Sequence, residues 1–326
     1  MKNTPLRLGN NLGTYWANPI YDARSADSSV RISICIPYFR YDISRLLAEL
    51  IRQSVSLRDV VEIIVADDGG GDEELTNKIK LIAGQSYVCV SGVIFSMNIG
   101  RAAIRNQLAS MARGSYILFL DADMYPDVDN FINNYIDHSN LNFDVIVGGR
   151  SYSRVEKVGS SEALYYFFSK RSECLGAEQR QAQSWRYIFT NNIAIKRNVI
   201  IEIPFDEGYS GWGYEDTDWA LSAIAKNVSV LHINNAATHF GLIDTNSLLQ
   251  KFDESVANFA RIRGRFPLYI EGSPVYIASR FFSGRYFPLR LLKTSLKRVI
   301  LSRYCPIYGK YVALQLYKAA IYAPTV

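Results

Sequence analysis

The 326-residue chain has four cysteines and three histidines. Cys35, Cys89, Cys174 and Cys305 are scattered with no CxxC spacing, and two of them fall in predicted strands, where Cys behaves as a small hydrophobe; this suits a reducing cytosol. No apolar run approaches the roughly 18 residues of a spanning helix. The N-terminal stretch MKNTPLRLGNNLGTYWANP lacks the continuous apolar segment of a signal peptide, so a lumenal or secreted location is not expected. No GxGxxG follows a strand and no GxxxxGK[ST] exists, which leaves a dinucleotide fold and a P-loop unsupported. A GxSxG elbow and a paired-His metal motif are missing too. Acids nearly vanish from the C-terminal end. From Arg261 to Val326 there are 12 Lys and Arg against one acid, Glu271, whereas the preceding 260 residues hold 24 bases and 30 acids.

At 48% hydrophobic, the chain has enough apolar residues for one large α/β domain or a domain with an appendage. Arg31–Tyr38, Val60–Ala66, Tyr87–Ser96 and Tyr116–Leu120 are short, bounded, β-rich apolar runs, as buried parallel strands should be. Ile43–Val55, Glu73–Ala83 and Ile99–Ala112 read as the helices between them. This alternation predicts βαβ units and a mostly parallel sheet flanked by helices. Further strands are expected at Phe143–Val147, Asn192–Lys196 and Val228–Ile233. Residues 1–30 are polar and Asn-rich and read as a loosely ordered extension. The region up to about residue 260 reads as one body, with 261–326 a basic tail.

Ligands of such sheets sit beyond the carboxyl ends of the strands. Those ends present Pro37-Tyr38, Asp67-Asp68-Gly69, Asn98 and Asp121-Ala122-Asp123 along one rim. The Asp121/Asp123 pair at i and i+2 fits a clamp in which a hard cation completes its shell with substrate phosphates; a solvated acidic turn is the plain alternative. Asp67-Asp68-Gly69-Gly70-Gly71 could bind metal or nucleoside, or start a helix. Arg101 and Arg105, one helical turn apart, could meet phosphates or lie on a solvated helix face. In Gly211-Trp212-Gly213-Tyr214-Glu215-Asp216-Thr217-Asp218, glycines flank a ring able to stack on a sugar, and adjacent carboxylates suit general base work. A helix N-terminus explains the acids but not Gly-Trp-Gly. His239 follows a strand and reads on its own as structural or as a metal ligand.

Together these residues resemble the inverting GT-A glycosyltransferases of family 2. The likeness runs through Ser33-Ile34-Cys35-Ile36-Pro37-Tyr38, Val65-Ala66-Asp67-Asp68-Gly69, Asn98-Ile99-Gly100-Arg101 with Arg105-Asn106, and Leu118-Phe119-Leu120-Asp121-Ala122-Asp123, ending near His239. The second half, Phe205-Asp206-Glu207-Gly208-Tyr209 and the Gly-Trp-Gly motif, resembles the chondroitin polymerase, polypeptide GalNAc-transferase and β-1,4-galactosyltransferase groups. The resemblance implies a nucleotide-sugar half (31–145) and an acceptor and catalytic-base half (146–260). It implies that Pro37, Tyr38, Asp67 and Asp68 border uracil and ribose, and that Asp121 and Asp123 hold nucleotide and metal. His239 would be a further metal ligand, for Mn²⁺ or Mg²⁺, with Asn191 and Asn192 near the donor sugar. Asp216 would be the base, Glu215 the acceptor ligand, and Trp212 a wall of the sugar site. The loop reads Asp-Asp-Gly-Gly-Gly where Asp-Asp-Gly-Ser is common.

The expected reaction is transfer of a hexose or N-acetylhexosamine from a UDP-sugar to a glycan or lipid-linked acceptor, with bacterial surface polysaccharide as the context suggested by analogy. A metal-dependent nucleotidyltransferase and a non-catalytic sugar-binding scaffold are the alternatives. In the tail, Leu289, Leu292, Leu296 and Val299 at helical spacing with Arg290, Lys293, Lys297 and Arg298 suit peripheral contact with an anionic membrane, or else packing on the core. The corresponding location is cytoplasmic or on the cytoplasmic face of the inner membrane. Nothing in the predicted core invites nucleic acid.

Overall fold

The computed structural model describes residues 4–8, 11–20, 30–283 and 289–323. In chain order they form β1 (Thr4–Leu8), β2 (Asn11–Ala17), β3 (Ile32–Tyr38), α1 (Ser44–Ser54), β4 (Val61–Asp67), α2 (Glu73–Gly84), β5 (Cys89–Phe95), α3 (Arg101–Met111), β6 (Tyr116–Leu120), β7 (Met124–Pro126) and α4 (Phe131–Ser139). There follow β8 (Val145–Val147), β9 (Arg150–Ser151), α5 (Ala163–Glu173), α6 (Ala177–Gln181), β10 (Asn192–Lys196), α7 (Arg197–Glu202), α8 (Glu215–Ala225), β11 (Val230–His232), β12 (Ala237–His239) and α9 (Thr245–Glu254). The chain closes with α10 (Val256–Arg265), α11 (Pro267–Glu271), α12 (Pro274–Phe282), α13 (Leu289–Leu301) and α14 (Ile307–Tyr322).

The main sheet runs β1-β2-β5-β4-β3-β6-β10-β8-β11. Its centre, β5-β4-β3-β6, is parallel, as the βαβ alternation predicts. Side-chain alternation divides the strands between two apolar layers. Ile32, Ile34 and Ile36 face α1, α2 and α4, while Cys35, Ile64 and Ala66 face α3, α7 and α8. Both faces are covered, which is why these strands read as unbroken apolar runs. A small sheet, β7-β12-β9, stands beside the end of β6 and carries His239.

One expectation changes. Asn11–Ala17 is not a loose extension, since it pairs antiparallel with β5. Trp16 is buried against Gly92, where a Cβ would lie 2.7 Å from the indole, so a large side chain on one strand fills the gap left by glycine on the next. The basic helix of the tail exists as α13, and core packing, one of its two expected roles, takes part of its apolar face: Leu296 and Ile300 are buried in a third core with Phe252, Phe259, Tyr317 and Tyr322, while Val299 is exposed. Among the described residues no helix is long and apolar enough to cross a membrane.

Candidate active site

Beyond the carboxyl ends of β3, β4 and β6 lies a cleft of about 630 Å³, lined on one side by Pro37, Tyr38, Asp68, Arg101, Arg105, Asp121 and Asp123 and on the other by Tyr209, Ser210, Gly211 and Glu215. The two motif regions therefore meet across one opening.

Its floor is shaped by the loop after β4. Asp68 lines the cleft and accepts hydrogen bonds from the backbone N–H of Ile99 (2.6 Å) and Gly100 (3.3 Å), tying this loop to the start of α3. Burial raises its pKa against those bonds. Gly69 has φ +75°, and a Cβ there would lie 2.5 Å from the backbone nitrogen of Asn98, so only glycine allows the two loops to meet. Asp67 departs from its expected place. It is buried outside the cleft lining, and its Oδ1 accepts from Gly70 N–H at 2.7 Å, so it supports the turn.

Arg105 is buried, and its Nη2 donates to Asp121 Oδ1 at 2.8 Å. Among the described residues its Nε and Nη1 have no partner, which leaves two desolvated donors for an anionic ligand. Arg101, half exposed, approaches Glu215 Oε1 to 3.5 Å.

The strand-end Asp123 and the β12 residue His239 are in contact, with Nε2 and Oδ2 3.1 Å apart. Burial dominates the imidazole and pulls its pKa below the ordinary histidine value, which favours the neutral, ligand-competent form. Burial pushes the Asp123 carboxyl up, but the hydrogen bond with His239 and nearby positive charge, Arg150 included, outweigh it and hold the pKa low. On the far side of the ring, Nδ1 meets Tyr152 Oη at 3.4 Å, an outer partner that orients the imidazole. Gly241 completes the arrangement, because a Cβ there would fall on Asp123 Oδ2 and lie 2.9 Å from His239 Nε2. Among the described residues no group of three or more His, Cys, Asp or Glu could hold a metal. Asp123 lines the cleft with His239 behind it, an oxygen and nitrogen donor pair that fits a divalent cation whose other ligands are phosphate and water.

Glu215 and Asp216 open α8, where the helix dipole favours their charge. Glu215 lines the cleft. Asp216 lies beside it without being part of the lining, and accepts from Thr190 Oγ1 (2.7 Å) and Thr190 N–H (3.3 Å). Burial first, then repulsion from Glu215, push its pKa up to about 6. The third acid, Asp218, is structural, paired with Arg265 at 2.6 Å and bonded to Tyr209 at 2.8 Å. The preceding loop is held by Asn258, whose Nδ2 donates to Ser210 O (2.9 Å) and Gly213 O (3.0 Å).

Three expected site residues point elsewhere. The ring of Trp212 packs edge-on against Phe252, with centroids 5.2 Å apart, and is not part of the cleft lining. Asn192 is fully buried and its amide is committed, donating to Gly149 O and Asn235 O and accepting from Tyr135. Asn191 is buried outside the lining, and its carbonyl accepts from Asp121 N–H at 3.2 Å. Asn191 and Asn192 follow each other at the start of β10, in a sheet covered on both faces, so both are buried, which residue type alone does not reveal. Conversely, Thr190, Tyr152, Gly241 and Asn258 escaped sequence reasoning because their partners lie far away in the chain.

A sequence comparison with curated proteins finds no match. Among solved structures, the fold is similar to a mannosyltransferase from Pyrobaculum calidifontis, a complex with GDP-Man and Mn²⁺ (TM-score 0.58, 14% identity, 93% of this chain and 89% of that one). It is also similar to S. aureus TarS (TM-score 0.51, 13% identity, 89% of this chain and 55% of that one). At such identities the likeness is one of fold, and that fold is GT-A. The model of glycosyl transferase family 2 matches residues 33–203. With that match spanning the strand-end motifs from Ser33 onward, the chain belongs to glycosyl transferase family 2.

Proposed function

We propose that the protein is an inverting glycosyltransferase that moves a hexose or N-acetylhexosamine from a UDP-sugar to a hydroxyl of a glycan or lipid-linked acceptor, in bacterial surface polysaccharide synthesis. The observation that carries this reading is the convergence on one cleft of Asp121 and Asp123, backed by His239, with Glu215 and its neighbour Asp216. In this reading Pro37, Tyr38 and Asp68 take the nucleoside end, and Arg105 offers its two unpartnered donors to the diphosphate. Asp123 and His239 would hold Mn²⁺ or Mg²⁺, which when bound would supply electrostatic stabilisation of the leaving diphosphate. Asp216 takes the proton of the acceptor hydroxyl as that oxygen bonds to the anomeric carbon and the bond from this carbon to the diphosphate oxygen breaks. UDP leaves with the electron pair and the anomeric configuration inverts. Glu215, steered by Arg101, holds the acceptor. The site of action in this reading is the cytoplasm or the cytoplasmic face of the inner membrane.

Calorimetric titration of UDP, and of GDP in parallel, with and without Mn²⁺ on wild type and Asp123→Ala tests the proposal. Metal-dependent UDP binding lost in the variant supports it. Binding of GDP alone would reassign the donor, and no binding of either would favour a non-catalytic sugar-binding subunit. Release of pyrophosphate in turnover would point to nucleotidyl transfer.

A further inference from the structure

We propose that the outward surface of α12, continued along α14, is a docking surface for an anionic lipid bilayer. The inference rests on the proposed function only for what the protein would find there, a lipid-linked acceptor. The surface stands on its own observations.

The first is that α12 is apolar on two sides. Its sequence, PVYIASRFF, has one charged residue in nine, Arg280. Tyr276, Ser279 and Phe282 face inward and are buried. Ile277 and Phe281, one turn apart on the opposite side, are 60% and 77% exposed, and Leu268 on the preceding α11 is 90% exposed. A helix that is hydrophobic all round belongs in apolar surroundings, and here the outer half has water instead. The surface does not end at α12. Ala319, Ala320 and Ala323 of the C-terminal helix region pack with Ala278 and Phe282. The same stripe of α14, one to three turns earlier, is Tyr308, Val312 and Leu316, all exposed.

The second observation is charge, and it selects the occupant. From Arg261 onward the chain carries 12 Lys and Arg and one acid. Arg263 pairs with that acid, Glu271, at 3.4 Å, Arg261 and Arg265 pair with Asp206 and Asp218, and Lys297 pairs with Asp253, which leaves Arg280, Lys293, Arg298, Arg303 and Lys310 with no acid in ion-pair distance among the described residues. A second copy docked through this face would set like-charged surfaces, each with exposed Arg280, against each other, whereas anionic headgroups complement them. Apolar side chains inserted among headgroups, with Arg280 on the same helix, describe an interfacial contact rather than a span. Of the α13 stripe that the sequence suggested for this role, Leu296 is buried in the third core and Leu292 packs against it, while Val299 is exposed.

The test is flotation of the full-length protein with vesicles of phosphatidylglycerol in phosphatidylcholine and with phosphatidylcholine alone. Binding to the anionic vesicles only, weakened by salt, is expected. The double variant Ile277→Ser/Phe281→Ser should lower the bound fraction about tenfold, and Arg280→Glu should lower it without removing an apolar group. Both variants alter exposed positions, and circular dichroism with the UDP titration verifies their fold. Equal flotation of the variants and wild type, or no flotation with either vesicle, overturns the proposal. So does a concentration-dependent dimer that the double variant dissociates in the absence of vesicle binding. Loss of UDP binding with intact flotation would reject the glycosyltransferase reading and leave the lipid surface standing.

Discussion

Both carboxylate oxygens of Asp216 are held by one residue: Thr190 Oγ1 donates to Oδ1 at 2.7 Å, and the Thr190 backbone N–H donates to Oδ2 at 3.3 Å. The acid is fixed by the flank of β10, a strand that belongs to the central sheet, so its orientation does not depend on the Gly-Trp-Gly loop alone. Burial and Glu215 raise its pKa to about 6, and Thr190 opposes that rise by bonding to the charged form. A general base acts deprotonated, so turnover should fall as pH drops through about 6. Asp216→Asn is expected to keep UDP binding and lower turnover about a hundredfold or more. Thr190→Val should shift the acidic limb of the rate profile to higher pH, and Thr190→Ser should restore it. An unshifted limb in Thr190→Val would leave Thr190 with packing alone.

The same pKa has a consequence for stability. Between the ordinary aspartate value and about 6 the native state holds a proton that the unfolded chain has lost, so this group's contribution to stability declines as pH rises through that window. Above it the ionised carboxylate costs the fold. Asp216→Asn should therefore raise Tm at pH 7.5 and have less effect near pH 4. Thermal melts at the two pH values decide this, and a lower Tm for the variant at pH 7.5 would contradict it.

Gly241 offers a way to perturb the Asp123–His239 pair without removing either residue. A Cβ at this position falls on Asp123 Oδ2, so Gly241→Ala should weaken Mn²⁺-dependent UDP affinity about tenfold or more and leave metal-free binding unchanged. His239→Ala should do the same by deleting the nitrogen. If both variants bind UDP with wild-type metal dependence, the pair is structural.

Why some of this could be read in advance and some could not follows from the range of the signals. Asp121, Asp123 and Asp68 were legible because a strand end announces itself by an apolar run followed by polar residues, and the parallel topology brings strand ends together. The two layers of the core were implicit in the same runs. Side-chain direction was not. Trp212, Asn192 and Asp67 carry the right chemistry, yet one packs on Phe252, one bridges backbone carbonyls and one closes a turn. Asn258 and Thr190 serve loops and helices that are far from them in sequence, and no local pattern marks such a partner.

Asn258 should matter for the acceptor side. Its amide clamps two carbonyls of the segment that carries Tyr209, Gly211 and Glu215 into the cleft. Gly211 and Gly213 have φ of +71° and +92°, so the backbone there has few constraints of its own once the clamp is gone. Asn258→Ala is expected to lower kcat/KM for the acceptor about tenfold while UDP affinity holds. A matching loss of UDP affinity would mean that the segment supports the donor site instead.

The basic tail is part of the fold, and this determines what truncation does. Tyr322 bonds to Ser255 through its hydroxyl at 2.7 Å and stacks on Phe259 at 4.3 Å, while Tyr214, at the foot of the Gly-Trp-Gly segment, lies edge-on to Tyr322 at 6.1 Å. Ile300 and Leu314 are fully buried in the same core. Ending the chain at residue 265 would strip the cover from Phe252 and Phe259 and from the Tyr214 ring beside the Gly-Trp-Gly segment. Such a truncation is expected to be insoluble or to lose the cooperative melt. The milder Ile300→Ala should cost about 2–4 kcal/mol, the usual range for emptying a buried aliphatic site, and lower the urea midpoint with no change in slope. Tyr322→Phe keeps the ring and removes only the hydroxyl, leaving Ser255 one partner fewer at a cost of about 1 kcal/mol. A soluble, cooperatively melting chain that stops at residue 265 would show that the tail only decorates the GT-A body, and the third core would then have to be closed by α9 and α10 alone.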